Sequence, residues 1–483
     1  MATTNKVSEP LPEYTAHQER LKLINALMGG TAAMQEAGEK YLPREPAESQ
    51  TAWKIRLGRT VLFNALKRTV QKLTGEVFSK DIDVGKDVPG PIQEWLDDVD
   101  LQGRNLSRFA QDTFKSALKD KVSYVLVDYP AGEIKPRRAD GILNLEDVDL
   151  AGRRPWMVHI TSDRMIGPPL YKWENGKRVM LLARFTENEI VPEEYGTKEI
   201  KRIRVLTPGF YEVFEERTDD KGATEWVSLG KNPTTLKFIP LVVVEFDEDP
   251  PLEDLAYLNW AHWQLSSDYR NTLHAMVPLW FAKGIQDSDG KLLGEDGSKV
   301  IMGAGRIISS SNPESDLKGI TLDSDPAESM LNELHNIEDQ MALFGLTLML
   351  PKGGQITATQ SASDKSENDS ALRSWAMVLK DCLELALSYM AQWAKLGDNG
   401  GSVTVNTDFR AFSALELDSI ARLVIAGKYP IEVYTEEAQR RGAMMQSWDN
   451  ADIQAMLENA ARSGGFAGLA GSILTAKASG AGS

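Results

Sequence analysis

A stripe of apolar residues in the middle of the chain predicts a long helix from Leu252 to Val277. Apolar residues recur there at spacings of three, four or seven, which is the period of one helix face. Acidic residues and two prolines from Asp247 to Pro251 favour a helix start. Pro278 ends the helix, because the residue before a proline is pushed out of the α region. At 1.5 Å per residue this helix would be roughly 39 Å long.

Two further helices are predicted after the first, separated by an insert and a polar loop. The spacing predicts the second helix over Pro326 to about Phe344 and the third over Ser366 to Lys395. The insert contains two short runs typical of strands, Val300 to Met302 and Arg306 to Ile308. The loop from Pro351 to Ser363 is rich in glycine, threonine and serine. Since it has little apolar area to anchor it, we expect this loop to be mobile.

The first part of the chain is predicted to be helical. The helices are expected over Tyr14 to Met28, Gln50 to about Phe78, Pro91 to Val99 and Asn105 to Lys121. The second of these should bury Trp53, Leu57, Val61, Leu62, Ala65, Leu66, Val70 and Leu73. Its outer face carries Arg56, Arg59, Lys67, Arg68 and Lys72. This basic face is either an ordinary solvated face or a contact with an acidic neighbouring subunit.

A β-rich part follows, and the end of the chain returns to helices. Strands are predicted over Ser123 to Tyr129, Trp156 to Ile160, Val179 to Phe185, Ile200 to Leu206, Gly209 to Glu215, Glu225 to Leu229 and Leu241 to Phe246. Asn175 and Gly176 form a hairpin signal. The stretch from Ala131 to Arg154 is interpreted as a surface loop or linker. A small strand, Gly400 to Asp408, precedes predicted helices over Ser413 to Ala426, Pro430 to Arg441 and Asp449 to about Ala461. The predicted class is α+β, dominated by helices.

Composition and charge restrict the classes of protein that fit. The chain has 483 residues, of which 42% are hydrophobic and 26% charged, as expected for a folded protein with two or three cores. No run approaches the ~20 apolar residues that a membrane span needs, and the first residues lead into no apolar secretory segment. The net charge of −16 argues against tight nucleic-acid binding through the whole surface. It does not argue against a protein through which DNA slides.

Motifs of the common enzyme classes are missing from the sequence. There is no phosphate-binding loop of the P-loop type, no His-Glu-x-x-His and no Gly-x-Ser-x-Gly. The glycine run from Met302 to Arg306 is interpreted as a turn, and the acidic run from Asp287 to Gly297 lacks the spacing of a calcium loop. His262 and His274 are about 18 Å apart along one helix, too far to share a metal. Cys382, the only cysteine, is expected to be a core residue in a reducing compartment. We therefore expect no catalytic, cofactor or metal site.

Several motifs, taken in order, resemble tailed-bacteriophage portal proteins over roughly Tyr14 to Gln446. Arg59 to Val61 and Lys72 to Phe78 are similar to the N-terminal helices of these proteins. Ile239 to Phe246, followed by Pro250 to Ala256 and Ser266 to Asp268, is similar to their transition from a strand into the stem. Phe344 to Leu346 before the polar loop, and Ser413 to Gly442, complete the series. The order of helix, insert, helix, loop and long helix is also that of the portal core.

The resemblance implies a portal fold and a ring-shaped assembly, commonly of twelve copies, at one capsid vertex. The implied divisions are 1–130, the N-terminal helical part of the wing; 131–250, the β-rich part of the wing; 251–277, the first stem helix; 278–325, the clip; 326–345, the second stem helix; 346–397, the tunnel loop and long wing helix; 398–465, the C-terminal crown; and 466–483, a disordered tail. The protein would be found in the virion, and in the host cytoplasm during assembly.

The resemblance also implies partners and residues. Double-stranded DNA would pass through the ring without sequence-specific contacts, driven by the large subunit of a terminase, and a head–tail adaptor, the major capsid protein and a scaffold protein would bind outside. No membrane or cofactor is implied. The tunnel-loop residues facing DNA would be Lys352, Gly353, Gly354, Gln355, Thr357, Thr359 and Gln360. Tyr257, Trp260 and Trp263 lie outside the main apolar stripe of the first stem helix, so we expect them to pack on a neighbouring subunit or a second layer. Two alternatives remain, a virion structural subunit without a channel and a soluble cytoplasmic enzyme with an unfamiliar site.

Overall fold

The structure is a computed structural model that describes residues 7–130, 153–218, 222, 224–246, 249–276, 279–283, 314–320, 325–343, 358–407 and a few later positions. The chain divides into two units, Met1–Thr407 and Asp408–Ser483. In the second unit only 409, 420, 422, 423, 434, 435 and 438 are described, and all but the first of these are helical. Most of the two predicted helices Ser413 to Ala426 and Pro430 to Arg441, and all of the segment from Asp449 onward, lie outside the described residues.

Six helices form the first part of the chain that the structure describes. They are α1 Pro12–Gly29, α2 Thr31–Ala37, α3 Gln50–Arg59, α4 Ala65–Val77, α5 Gly90–Trp95 and α6 Leu106–Asp120. Side-chain caps begin α3, α4 and α6, where Ser49, Asn64 and Asn105 each accept a hydrogen bond from the backbone N–H three residues later. These bonds satisfy amides that the helix itself leaves without a partner.

The predicted single helix from Gln50 to Phe78 is wrong, because the chain is extended between α3 and α4. Thr60 has φ −78° and ψ 129°, and its hydroxyl donates to the carbonyl of Arg56 at 2.8 Å. Asn64 then caps a new helix. The break turns Val61 outward, where it is 49% exposed, so the expectation that it is buried is also wrong.

Arg56 was expected on a basic outer face, and this too is wrong, because its side chain is only 4% exposed. Its guanidinium donates to both carboxylate oxygens of Glu48, at 2.9 and 2.8 Å, and to the carbonyl of Pro43 at 2.9 Å. A fourth hydrogen bond, of 3.3 Å, reaches the hydroxyl of Ser267. A buried cation needs such partners, and here they are supplied by the segment before α3 and by a later helix.

Fourteen strands are described. They are β1 Asp83–Val84, β2 Val122–Asp128, β3 Trp156–Ile160, β4 Leu170–Glu174, β5 Lys177–Thr186, β6 Glu189–Glu193, β7 Gly196–Ile200, β8 Arg202–Thr207, β9 Phe210–Thr218, β10 Thr224–Pro233, β11 Leu241–Glu245, β12 Leu279–Lys283, β13 Asp316–Ile320 and β14 Val403–Thr404. All strand pairs are antiparallel. The predicted strands between Ser123 and Phe246 are confirmed within a few residues; β4, β6 and β7 were not predicted.

Two sheets share one core. A three-stranded sheet has the order β11-β2-β3, and a five-stranded sheet has the order β10-β9-β8-β5-β4. Their common core contains Tyr124 and Leu126 from β2, Phe185 from β5 and Leu206 from β8, with Tyr14 of α1 covering it. Helix α6 packs against β2. This arrangement ties the helical part of the chain to the β-rich part.

Three long helices complete the described fold. They are α7 Glu253–Ala275, α8 Asp325–Leu343 and α9 Ala358–Trp393. The predicted bounds of α7 and α8 are confirmed to within two residues. Helix α9 packs on β11 and β2, where the Nε1 of Trp393 donates to the carbonyl of Val127 at 3.0 Å. Cys382 lies on this helix, and burial raises the pKa of its thiol to about 12. The α+β class is confirmed.

Candidate functional site

Helices α7 and α8 form an antiparallel pair. Near the middle of α7, His262 lies 3.1 Å from Glu338 of α8, and near the C-terminal end of α7 the hydroxyl of Thr272 lies 3.7 Å from the sulfur of Met330. The buried residues of α8 share one stripe. They are Ala327, Leu334, Ile337, Met341 and Ala342. Spacings of three and four place this stripe against α7 and leave the opposite face of α8 open.

Helix α7 is also fixed to the N-terminal helices, because α1, α3 and α4 pack against it. Asn259, which is fully buried, donates to the carbonyl of Phe63 at 2.7 Å and accepts from the amide of Leu66 at 3.1 Å. At the start of α7, Arg20 forms an ion pair with Glu253 at 3.1 Å. The pair α7–α8 is therefore held rigidly from the α7 side.

The three aromatic residues predicted for stem packing lie in three different environments. Trp263 is fully buried within the chain. Trp260 is half-buried, and its Nε1 donates to the carbonyl of Tyr41 at 2.8 Å. Tyr257 is 45% exposed. Tyr257 is therefore the member of this group with the most surface left for a neighbouring subunit, and its packing there stays a prediction.

The open face of α8 is acidic. The helix contains Asp325, Glu328, Glu333, Glu338 and Asp339, and it has no lysine or arginine. All of these except the half-buried Glu338 are exposed. A row of carboxylates repels phosphate and stays hydrated, so such a face offers DNA no adhesive contact. This feature was missed from the sequence, although the absence of lysine and arginine over 19 residues could have indicated it.

An antiparallel two-stranded ribbon, hereafter the hairpin, lies between α7 and α8 in the chain. Strands β12 and β13 pair from Leu279 with Ile320 to Lys283 with Asp316. Since β12 follows α7 closely and β13 precedes α8 closely, the hairpin continues from the same end of the helix pair. The predicted strands Val300 to Met302 and Arg306 to Ile308 lie outside the described residues.

The predicted tunnel loop is shorter than expected at its C-terminal end. Helix α9 begins at Ala358, not at Ser366, so Thr359 and Gln360 lie in a helix and their assignment to a loop is wrong. Extending a helix that has already formed costs little free energy. The apolar stripe of α9 stabilises the helix that is extended here. Lys352, Gly353, Gly354, Gln355 and Thr357 lie outside the described residues.

A cavity of about 350 Å³ lies between residues 61–63, α7 and α8, and it brings His262, Ser266 and Glu338 together. Burial lowers the pKa of His262, and the neighbouring Glu338 opposes that shift. The Nε2 of His262 faces Glu338, while its Nδ1 has no hydrogen-bond partner among the described residues. A serine nucleophile needs its own bond to the imidazole, so these residues do not form a catalytic triad.

The described part of the chain also bears on metal and membrane binding. Its histidine, cysteine and acidic residues form no group of three or more suited to hold a metal ion. None of the helices it contains is long and apolar enough to cross a membrane.

Comparison with other proteins gives one family match and several distant structural overlaps. A family model described as a domain of unknown function, DUF4055, matches residues 251–394. No curated protein matches the chain. A chain in the neck of an empty gene transfer agent (GTA) particle, computed with C6 symmetry, is 15% identical, with 78% of this chain and 88% of that chain covered and a TM-score of 0.37. A chain in the virion of a native GTA particle is 14% identical, with 81% and 88% covered and a TM-score of 0.34. A chain in the neck of a native GTA particle, computed with C12 symmetry, is 13% identical, with 75% and 85% covered and a TM-score of 0.35.

TM-scores of 0.34 to 0.37 are too low to assign a shared fold, so we draw no conclusion from these overlaps. The stretch that the family model matches coincides with elements of the structure. It begins just before α7 and ends at the last turn of α9. The helix pair, the hairpin between its members and the long helix α9 therefore make up the matched stretch.

Proposed function

We propose that this chain is the subunit of a portal ring at one vertex of a phage capsid, through which double-stranded DNA is packaged and later ejected. The observation that supports this best is the antiparallel pair α7–α8, with a hairpin at one end and an acidic open face on α8. The same stretch carries the sequence resemblance to portal proteins. A ring, here proposed with twelve copies, would repeat that acidic face around an axis.

Each part of the helix pair would have its own task in the ring. Helix α7, anchored through Asn259 and Arg20, would connect the channel to the outer part of the subunit. Helix α8 would present its carboxylates to the channel, where they keep phosphate hydrated and mobile. The hairpin at the far end of the pair would meet the large terminase subunit during packaging and the head–tail adaptor afterwards. The outer part of the ring would contact the major capsid protein and the scaffold.

The assembly state of the purified protein tests this proposal directly. We expect mass measurement and negative-stain images to reveal a closed ring with a central hole. A stable monomer would contradict the portal function, and so would a closed particle without a hole.

Reversing the charge of the open face of α8 should slow the passage of DNA through the ring. In the variant carrying both Glu333→Lys and Asp339→Lys, we expect packaging to slow severalfold at low salt and to recover at high salt, because added lysines attract phosphate and salt screens that attraction. Both residues are exposed, so stability should change by no more than about 0.5 kcal/mol. Packaging rates at two salt concentrations measure the effect.

A matched control places the same charge change on the five-stranded sheet, with Glu174→Lys and Glu225→Lys. Both glutamates are exposed and lie on β4 and β10. Equal slowing by the two double variants would contradict a channel-lining role for α8.

The length of the polar loop before α9 should affect DNA packaging more than the charge of the loop does. Lys352→Ala should leave ring assembly and motor ATPase activity intact, because a single lysine contacts DNA only as one point charge on phosphate. Packaging should change modestly, mainly in the retention of DNA, and more at low salt. Deleting Gly353 to Thr357 should be far more damaging. If the deletion variant packages and retains DNA like the parent, this loop does not line the channel.

A further inference from the structure

Strands β6 and β7 extend from the five-stranded sheet as a narrow arm, residues 189–200. The pairs Ala183 with Leu206 and Thr186 with Ile203 belong to β5 and β8. The pairs Glu189 with Ile200 and Glu193 with Gly196 belong to β6 and β7 and keep the same register. The amide of Glu187 donates to the carbonyl of Arg202 at 2.8 Å and bridges the two ladders. One continuous ribbon therefore runs from the sheet to a two-residue turn.

The arm exposes large apolar and aromatic side chains to solvent. Tyr195, at the turn, is 99% exposed, and Ile190 is 68% exposed. Two strands without a core beneath them are only marginally stable in water. Beyond Thr186 the arm is roughly 26 Å long, at about 3.3 Å per residue. A ribbon of this length and exposure needs a surface to pack against.

A cavity of about 560 Å³ lies elsewhere on the same chain, between α1, β2 and β4. Arg20, Lys121 and Arg178 line it. Arg20 is paired within the chain with Asp249 and Glu253, and Lys121 with Glu245, so Arg178 is the cation that contributes most to the positive charge of the lining. The guanidinium of Arg178 lies 3.9 Å from the centre of the Tyr171 ring, which makes that wall both aromatic and cationic. The cavity is suited to an acidic and aromatic segment.

One buried atom in the cavity lacks a partner. His17 is only 9% exposed and lines the cavity, and its Nε2 has no hydrogen-bond partner among the described residues. Burial, together with the charges of Lys121 and Arg20, lowers the pKa of His17 to about 4. The imidazole is therefore neutral at pH 7 and adds no positive charge to the cavity.

The arm cannot fill the cavity of its own chain. Arg178 lies near the start of β5, and the ribbon runs from there through β5 and β6 to Glu194. At about 3.3 Å per residue this distance is roughly 50 Å. The cavity and the tip of the arm therefore lie at opposite ends of one ribbon, an arrangement suited to contacts between successive copies.

We propose that the tip of the arm, Glu193, Glu194 and Tyr195, docks in this cavity on a neighbouring copy of the chain. The two carboxylates would face Arg178, with Arg20 and Lys121 beside it, and the Tyr195 side chain would lie next to His17. Two different patches are then joined, so the interface is heterologous and generates a closed ring when the rotation between copies closes. This contact rests on the ring proposed above and names one interface within that ring. It does not require that DNA passes through the ring.

Disulfide crosslinking tests the contact with little disturbance. Gly196→Cys places a thiol beside the tip, where a new Cβ meets nothing within 4 Å, and Pro168→Cys places one on the exposed rim of the cavity. Under mild oxidation the double variant should give a ladder of covalent multimers. A mixture of the two single variants should give crosslinked dimers containing one chain of each kind. Cys382 should stay silent, because its raised pKa keeps it a thiol.

Two controls make the outcome decisive. Gly196→Cys combined with Gly90→Cys, an exposed glycine away from the cavity, should give no ladder. In the crosslinking background, Glu194→Lys or Arg178→Glu alone should lower the yield at least about fivefold, and the two together should restore much of it by reforming an opposite-charge pair.

Three outcomes would overturn the proposed contact. They are crosslinks between two copies of Gly196→Cys alone, which would indicate symmetric arms; rings with no crosslink between the arm and the cavity; and a monomer with no crosslink. The second result would leave the portal function standing. A ladder from open chains or small closed oligomers without a central hole would support the arm contact and contradict the portal.

Discussion

Replacing Trp263 with alanine is expected to lower the free energy of unfolding by about 3–5 kcal/mol. The indole is fully buried within the chain, so the substitution removes a large apolar area and leaves a cavity beside α7. Urea unfolding followed by circular dichroism at several protein concentrations measures the change.

Tyr257→Ala is the matched control on the same helix. Since Tyr257 is 45% exposed, its loss should change the free energy of unfolding by less than about 1 kcal/mol. If Tyr257 packs on a neighbouring subunit, the control should instead weaken the oligomer, as measured by its mass at low concentration. Equal destabilisation by both substitutions would contradict the burial of Trp263.

The different positions of these two aromatics explain how far the sequence could predict the site. The apolar stripe from Leu252 correctly predicted where α7 begins and ends. Periodicity identifies one buried face, however, and α7 is covered on several sides, by α1, α3, α4 and α8. Trp263 lies off the stripe and is still buried, because tertiary packing decides its environment. The bounds of a helix depend on the local sequence. The number of its faces that other elements cover depends on tertiary packing.

The break between α3 and α4 could not be predicted for a related reason. The stretch from Gln50 to Phe78 contains no proline, and its apolar spacing continues through the break. The extended conformation at Thr60 depends on distant partners, since its hydroxyl contacts that of Ser267 at 3.0 Å. The arm was missed because its charged and apolar residues alternate too weakly to indicate a strand without the neighbouring β5–β8 ladder.

Replacing Arg56 with alanine is expected to cost about 3 kcal/mol or more of the free energy of unfolding. The side chain is 4% exposed and joins the segment before α3 to α7 through Glu48, Pro43 and Ser267. Its removal leaves the carboxylate of Glu48, itself only 12% exposed, without its partner. Arg56→Lys is the control that keeps the charge. It should retain part of the stability, because a single ammonium cannot span all three acceptors.

The same network predicts how acid affects stability. Hydrogen bonds from Arg56 lower the pKa of Glu48 below its ordinary value, so this carboxylate stabilises the fold at neutral pH and loses its contribution as pH falls through that lowered pKa. Arg56 also donates to the carboxylate of Asp268, at 3.4 Å. Burial raises the pKa of Asp268, which shifts stability in the opposite direction, so Glu48→Gln is needed to isolate the first effect. Below pH 4 the difference in urea midpoint between the parent and Glu48→Gln should shrink. In the Arg56→Ala background the carboxylate has no cation beside it, so Glu48→Gln should no longer be destabilising at neutral pH. A constant difference between the parent and Glu48→Gln from pH 7 to pH 3 would contradict the ion pair, and with it the way in which α7 is anchored to the N-terminal helices.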